Sequence, residues 1–166
     1  MSVQPFEEVV TEHGPVVLRV CRALLGPADA DDVWSETFLA AMRSYPALRP
    51  DSNVRGWLVT IAHHKAVDHL RKVARSPLAS AVLPESPVHG GAASDGFTVE
   101  TDGALRAAVD ALPYKQRRAV IYRYLADLPY AEIGALLDCS EVAARRNAAD
   151  GIARLRRDYE RDTEER

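Results

Sequence analysis

A chain of 166 residues, 47% apolar and 27% charged, has the balance of one ordinary globular domain or two small ones, which excludes disorder throughout. It contains neither the run of about eighteen apolar residues that a membrane span needs nor a charged-then-apolar leader, so the cytoplasm is the expected compartment. A net charge of −3 excludes a wholly basic nucleic-acid binder. Residues 1–72 hold 8 basic and 9 acidic side chains, 73–103 hold 1 and 4, and 104–166 hold 12 and 11. Neither end has the surplus of Lys and Arg from which strong phosphate affinity comes, so a partner is implied.

Residues 5–25 place Phe6, Val9, Val10, Val17, Leu18, Cys21, Leu24 and Leu25 on a helical stripe, with a break or bend expected near Gly14-Pro15. Gly26-Pro27 ends that segment, and a second helix runs from Ala28 to Tyr45. Its early acids, Asp29, Asp31, Asp32 and Glu36, suit a helix dipole. Val33, Thr37, Phe38 and Leu39 to Met42 supply more apolar surface than one buried stripe requires, as in a helix that docks a partner.

A polar turn leads to a helix over 54–72. Trp57, Leu58, Ile61 and Leu70 point inward there, while Arg55, His63, His64, Lys65, His69, Arg71 and Lys72 gather on the remaining surface. A basic face beside an aromatic ring suits single-stranded DNA; the same pattern also fits a core tryptophan beside a solvated charged face. A zinc site from His63, His64 and His69 is disfavoured, because adjacent residues stand about 100° apart around a helix. Cys21 and Cys139 show no CxxC or Cys/His spacing and read as small buried hydrophobes, so no metal and no cofactor is expected.

From Val73 to Gly103 the composition turns to Ala, Ser, Pro and Gly with a single basic residue, Arg75, which marks a linker. Pro113 suits the first turn of the next helix, and Leu128-Pro129 is expected to end it. Tyr130 to Leu137 forms a short helix, the chain turns through Asp138-Cys139, and Ser140 can cap a third helix. Ala144, Ala148, Ile152 and Leu155 share one face of it. Glu141, Arg145, Arg146, Ala149 and Asp150 lie opposite, with Asn147 at the border. Two short helices joined by a tight turn lay the second in a major groove, where Arg and Asn can read base edges; a merely solvated face is the plain alternative.

With both halves read, the chain resembles the extracytoplasmic-function group of bacterial RNA polymerase sigma factors. Asp29-Ala30-Asp31-Asp32-Val33-Trp34-Ser35-Glu36-Thr37-Phe38 is similar to the DAEDLVQETF signature. Asn53 to Lys72 resembles the stretch that melts and reads the −10 element, with Trp57-Leu58, Ile61-Ala62, Asp68 and Leu70-Arg71 in place. Leu112 to Arg157 resembles the −35 reader, through Leu112-Pro113, Gln116-Arg117, Tyr130-Ala131-Glu132-Ile133 and Ala153-Arg154-Leu155-Arg156. Two departures stand out: His63-His64 replaces Arg-Asn, and Asn147 and Asp150 occupy positions that are basic in the pattern TVKSRLxRA.

The resemblance implies an all-α fold of two small helical domains joined by a flexible linker, the second a helix-turn-helix. Residues 1–72 would dock core polymerase and read and melt the −10 element, 73–103 would link, and 104–166 would read the −35 element. Asp29, Asp31, Asp32, Glu36 and Phe38 are the implied contacts to the β′ clamp. Arg55, Trp57, His63, His64, Lys65, Arg71 and Lys72 are implied at −10, and Ser140, Glu141, Arg145, Arg146 and Asn147 at −35. The implied partners are core RNA polymerase and promoter DNA, with room for an anti-sigma factor. The chain would choose promoters while polymerase supplies catalysis. A stand-alone helix-turn-helix regulator is the alternative, and it leaves the 29–36 and 53–72 helices unexplained. A small hydrolase using Cys21 or Cys139 lacks any glycine-rich elbow or nucleophile–base spacing.

Overall fold

The computed structural model describes residues 3–75 and 99–165. Those residues form seven α-helices and one 3-10 turn, with no strand among them. The first unit holds α1 (Phe6–Leu25), α2 (Pro27–Ser44), the 3-10 turn Tyr45–Ala47 and α3 (Val54–Arg75). The second holds α4 (Val99–Asp110), α5 (Tyr114–Tyr124), α6 (Tyr130–Leu137) and α7 (Glu141–Glu164). Most of the expected linker, 76–98, lies outside the described residues.

α1 runs unbroken through Pro15, where the sequence suggests a bend. An interior proline costs about 3 kcal/mol. Val9, Val17 and Val20 are fully buried on the two sides of it, and burying such side chains returns about 1.5–3 kcal/mol each. The Trp34 indole also donates to the Gly14 carbonyl at 3.0 Å, tying α1 to α2 at that point. Gly26 adopts φ 84°, a left-handed value that favours glycine. Pro27 then opens α2, so the α1–α2 corner is a Gly stop followed by a Pro start. Val33, Ala41, Leu58, Val59 and Ala62 close the three-helix core without exposure.

In the second unit α4 begins at Val99, inside the segment that composition assigns to the linker. A short polar helix containing Gly103 has too little apolar period to announce itself. α5 ends at Tyr124, four residues before the expected Leu128-Pro129 break. Asp127 turns the chain at φ 52°, and the Leu128 N–H bonds back to the Tyr122 carbonyl at 3.1 Å. Packing of α5, α6 and α7 buries Ala119, Leu128, Ile133, Ala144 and Ala148 completely. On α7 the buried face is Ala144, Ala148 and Gly151, with Ile152 and Leu155 only half-buried. A Cβ at Gly151 would stand 2.6 Å from the Val120 side chain, so glycine there lets α7 pass close to α5.

Candidate nucleic-acid interface

The turn between α6 and α7 is fixed by backbone contacts. A Cβ at Gly134 would lie 2.6 Å from the Cys139 carbonyl, which excludes any larger residue without a shift of the turn. Asp138 takes the left-handed conformation, φ 54°, and the Cys139 N–H donates to the Gly134 carbonyl at 2.9 Å. Ser140 caps α7 by accepting from the Ala143 N–H at 3.1 Å. With Ala144, Ala148 and Gly151 held against α5 and α6, the opposite side of α7 projects outward.

That side carries Arg145 and Arg146, whose side chains are 63% and 83% exposed. Each has an acid on its own helix: Glu141 lies 3.5 Å from Arg145, and Asp150 lies 4.0 Å from Arg146. The Arg145 guanidinium also lies over the Tyr130 ring, 4.9 Å from its centroid, and Arg123 lies over the same ring at 4.8 Å. Arg123 is itself tied to the Leu128 carbonyl at 3.1 Å. Glu141 is exposed and Asn147 half-buried, at the edge of the face. Val142, 76% exposed, stands on the same face. Sequence reasoning passed over it, although its position off the apolar period was the available signal; an exposed methyl-bearing side chain suits the methyl group of thymine.

On α3 the Trp57 ring is half-buried, 6.2 Å from Tyr45. His64, Arg71 and Lys72 are exposed and Lys65 is half-exposed, forming a strip along the helix. Arg55 is half-buried, and its Nε has no hydrogen-bond partner among the described residues. It lies near His13, whose pKa is lowered by burial and further by the Arg55 charge, against an upward pull from Glu12. His69 faces Asp29 at 3.4 Å.

On α2 Asp31, Asp32 and Glu36 are exposed and Asp29 is half-exposed. Leu39 and Met42, 52% and 51% exposed, extend this acidic strip with an apolar one. Among the described residues no group of three His, Cys, Asp or Glu side chains could hold a metal ion. Burial pushes the Cys21 thiol up to about 12, which removes it as a nucleophile.

Residues 9–76 match the family model "Sigma-70 region 2", and residues 102–155 match "Sigma-70, region 4". The probable RNA polymerase sigma-C factor of Mycobacterium bovis is 31% identical over 88% of this chain and 78% of that protein. The RNA polymerase sigma factor CarQ of Myxococcus xanthus is 32% identical over 91% of this chain and 87% of its own length. The chain belongs to the extracytoplasmic-function RNA polymerase sigma factors. Its fold is similar to that of the sigma factor RpoE of Bartonella quintana, solved with the anti-sigma factor NepR, at a TM-score of 0.81 and 20% identity, covering 95% of this chain and 98% of the other.

Within this sigma factor two expected contact residues are placed elsewhere. Phe38 is 6% exposed, with its ring 4.6 Å from Trp34 and 6.5 Å from Phe6. It anchors α2 from inside, because it follows Ala30, Val33 and Thr37 on the buried stripe, and Leu39 and Met42 are the apolar groups that α2 presents. His63 is likewise 6% exposed. It shares a stripe with Val59 and Ala66, and the Tyr122 hydroxyl of α5 stands 2.5 Å from its Nδ1. Burial, then the charges of Arg118 and His64, lower its pKa to about 4, so the ring is neutral near pH 7. His64, its neighbour, is the histidine that faces solvent.

Proposed function

We propose a division of labour for this sigma factor in which α2 docks core RNA polymerase, α3 opens and holds the −10 strand, and α7 reads the −35 element. The domain limits 1–72, 73–103 and 104–166 go with that division. The observation that carries it is the two-sided character of α7: a methyl-sized face locked against α5 and α6, and Arg145 and Arg146 exposed on the other. Such a helix can enter a major groove with its N-terminal half. The near-neutral balance of the second unit argues for weak DNA binding alone and for recruitment by polymerase. Asp31, Asp32, Glu36, Leu39 and Met42 supply a mixed acidic and apolar surface of the kind that docks a protein partner.

The chain is not itself an enzyme, since polymerase supplies the catalysis, and it works in the cytoplasm. An anti-sigma factor is a third partner class, in keeping with the RpoE–NepR complex of similar fold. Run-off transcription with core polymerase on a panel of native promoters tests the reading. Sigma-dependent transcripts are expected, and their absence from every promoter, with a folded chain that binds core, would overturn it.

A further inference from the structure

Among the described residues Val142 is the most exposed large apolar side chain, at 76%. It stands in the first turn of α7, two residues after the Ser140 cap. So exposed a side chain contributes little to packing. Nor does the helix call for valine at that position: α7 uses alanine at Ala143, Ala144, Ala148, Ala149 and Ala153, and alanine forms helix more readily than a β-branched residue.

The direction in which Val142 points separates it from an ordinary surface residue. Successive residues turn by about 100° around a helix, so the buried line of Ala144, Ala148 and Gly151 lies about 180–240° from Val142. Val142 therefore stands within about 30° of the point directly opposite that line, with Arg146 beside it at about 40° and Arg145 about 60° to the other side. Arg145 is drawn towards α6, since its guanidinium lies over the Tyr130 ring, 4.9 Å from the centroid. On the far flank Asp150 lies 4.0 Å from Arg146. At the N-terminal end of α7 the centre of the outward face is thus an isopropyl group.

A major groove about 12 Å wide admits a helix about 10–12 Å across. The flanks of such a helix meet the phosphate walls, and its centre line meets the floor, where the base edges lie. An isopropyl group gains nothing from a phosphate. Against the donors and acceptors of the floor it would strip water without supplying a partner, and the one apolar group presented there is the thymine C5 methyl. We propose that Val142 is a specificity residue of this sigma factor, packing on a thymine methyl group of the −35 element beside the base met by Arg146. The thymine lies about two base pairs from that base, because four residues of helix rise about 6 Å against about 3.4 Å per base pair. The proposal rests on the reading of α7 as the −35 helix.

The test uses holoenzyme and a promoter that supports run-off transcription, its −35 element randomised in otherwise constant duplex. Sequences selected by the wild-type holoenzyme should hold thymine at one position, and Val142→Ala, with unchanged circular dichroism, should lose that preference alone. Uracil in place of that thymine deletes only the methyl group. Wild-type affinity should then fall about three- to five-fold, the effect of returning one methyl-sized group to water, and Val142→Ala holoenzyme should bind both duplexes equally. A selection without thymine, a thymine preference that Val142→Ala keeps, or uracil bound as tightly as thymine would overturn the proposal. So would a loss in Val142→Ala spread evenly over all sequences, the mark of a backbone contact. Arg145→Ala and Arg146→Ala on the same library separate this from the reading beneath it. If none of the three variants changes the selected sequence, α7 is not the −35 helix and both fall; if an arginine variant changes it and Val142→Ala does not, only the valine is wrongly assigned.

Discussion

Arg145 gains its usefulness from what surrounds it. A long side chain loses about 2 kcal/mol of rotamer entropy when it is fixed, and the Tyr130 ring, held from α6 and shared with Arg123, restricts Arg145 before DNA arrives. A cation over an exposed ring is worth about 0.5–1 kcal/mol, so Tyr130→Leu should reduce discrimination at the base read by Arg145 about two- to five-fold, while Tyr130→Phe should preserve it. In an Arg145→Ala background the Tyr130→Leu change should add nothing; affinities across a −35 substitution series check this, and an additive effect would reduce Tyr130 to a packing residue. Gly134 is the other residue on which the reader depends. Because its missing Cβ leaves room for the backbone carbonyl of Cys139, Gly134→Ala forces the turn to move at about 1–3 kcal/mol. A fall in Tm of about 2–12 °C by calorimetry follows from the usual 2–4 °C per kcal/mol at this size.

Among the elements, α2 and α3 behave as opposite electrostatic surfaces. Asp32 and Glu36 are exposed on α2 and make no ion pair among the described residues, so Asp32→Lys with Glu36→Lys should leave the fold unchanged, with circular dichroism and Tm as controls. Capture by polymerase β′ should fall by ten-fold or more, since a contact charge that becomes like-signed costs several kcal/mol. On α3 the cations Lys65, Arg71 and Lys72 face where an opened strand would run, and their replacement by Ala should impair opening more than closed-complex formation. Permanganate footprinting with normal thymine reactivity in the triple variant would contradict that. The α3–α5 contact has its own pH dependence. Burial, then the charges of Arg118 and His64, hold His63 at about 4 in the folded chain, so the stability gained by burying the neutral ring is fully present above pH 6.5 and is lost as pH falls from there towards 4. The Tm should fall over that window, and His63→Gln should remove that part of the pH dependence.

At the scale of the whole molecule, two small helical units share one continuous buried cluster that runs from Val9 through Tyr122 to Ala148. Units of this size are near the lower limit at which a core holds alone, so each gains from the other's surface. Arg118, His63 and Tyr122 are polar groups buried at this joint, and they satisfy one another by hydrogen bonds.

The sequence by itself determined the helices, because 3.6-residue periodicity, Gly26-Pro27, Pro113 and Ser140 are local signals that act within a few residues. It also determined the family, through three motifs in order, and the outward position of Arg145 and Arg146, since these oppose Ala144 and Ala148 around one helix. The tertiary structure alone decided which side of an all-round decorated helix is buried. Phe38 and His63 sit in motifs that mix buried and exposed neighbours, and only the packing of α2 on α1 and the contact of α3 with α5 show that they turn inward. Pro15 within an unbroken helix was equally out of reach, for it depends on burial outweighing a local preference, and α4 beginning at Val99 has too little apolar period to read. Out of reach as well was the seating of Glu132 on Asn53, 79 residues away along the chain: a pairing at that separation leaves no trace in periodicity or spacing, because its energy exists only once two separately formed helices have met.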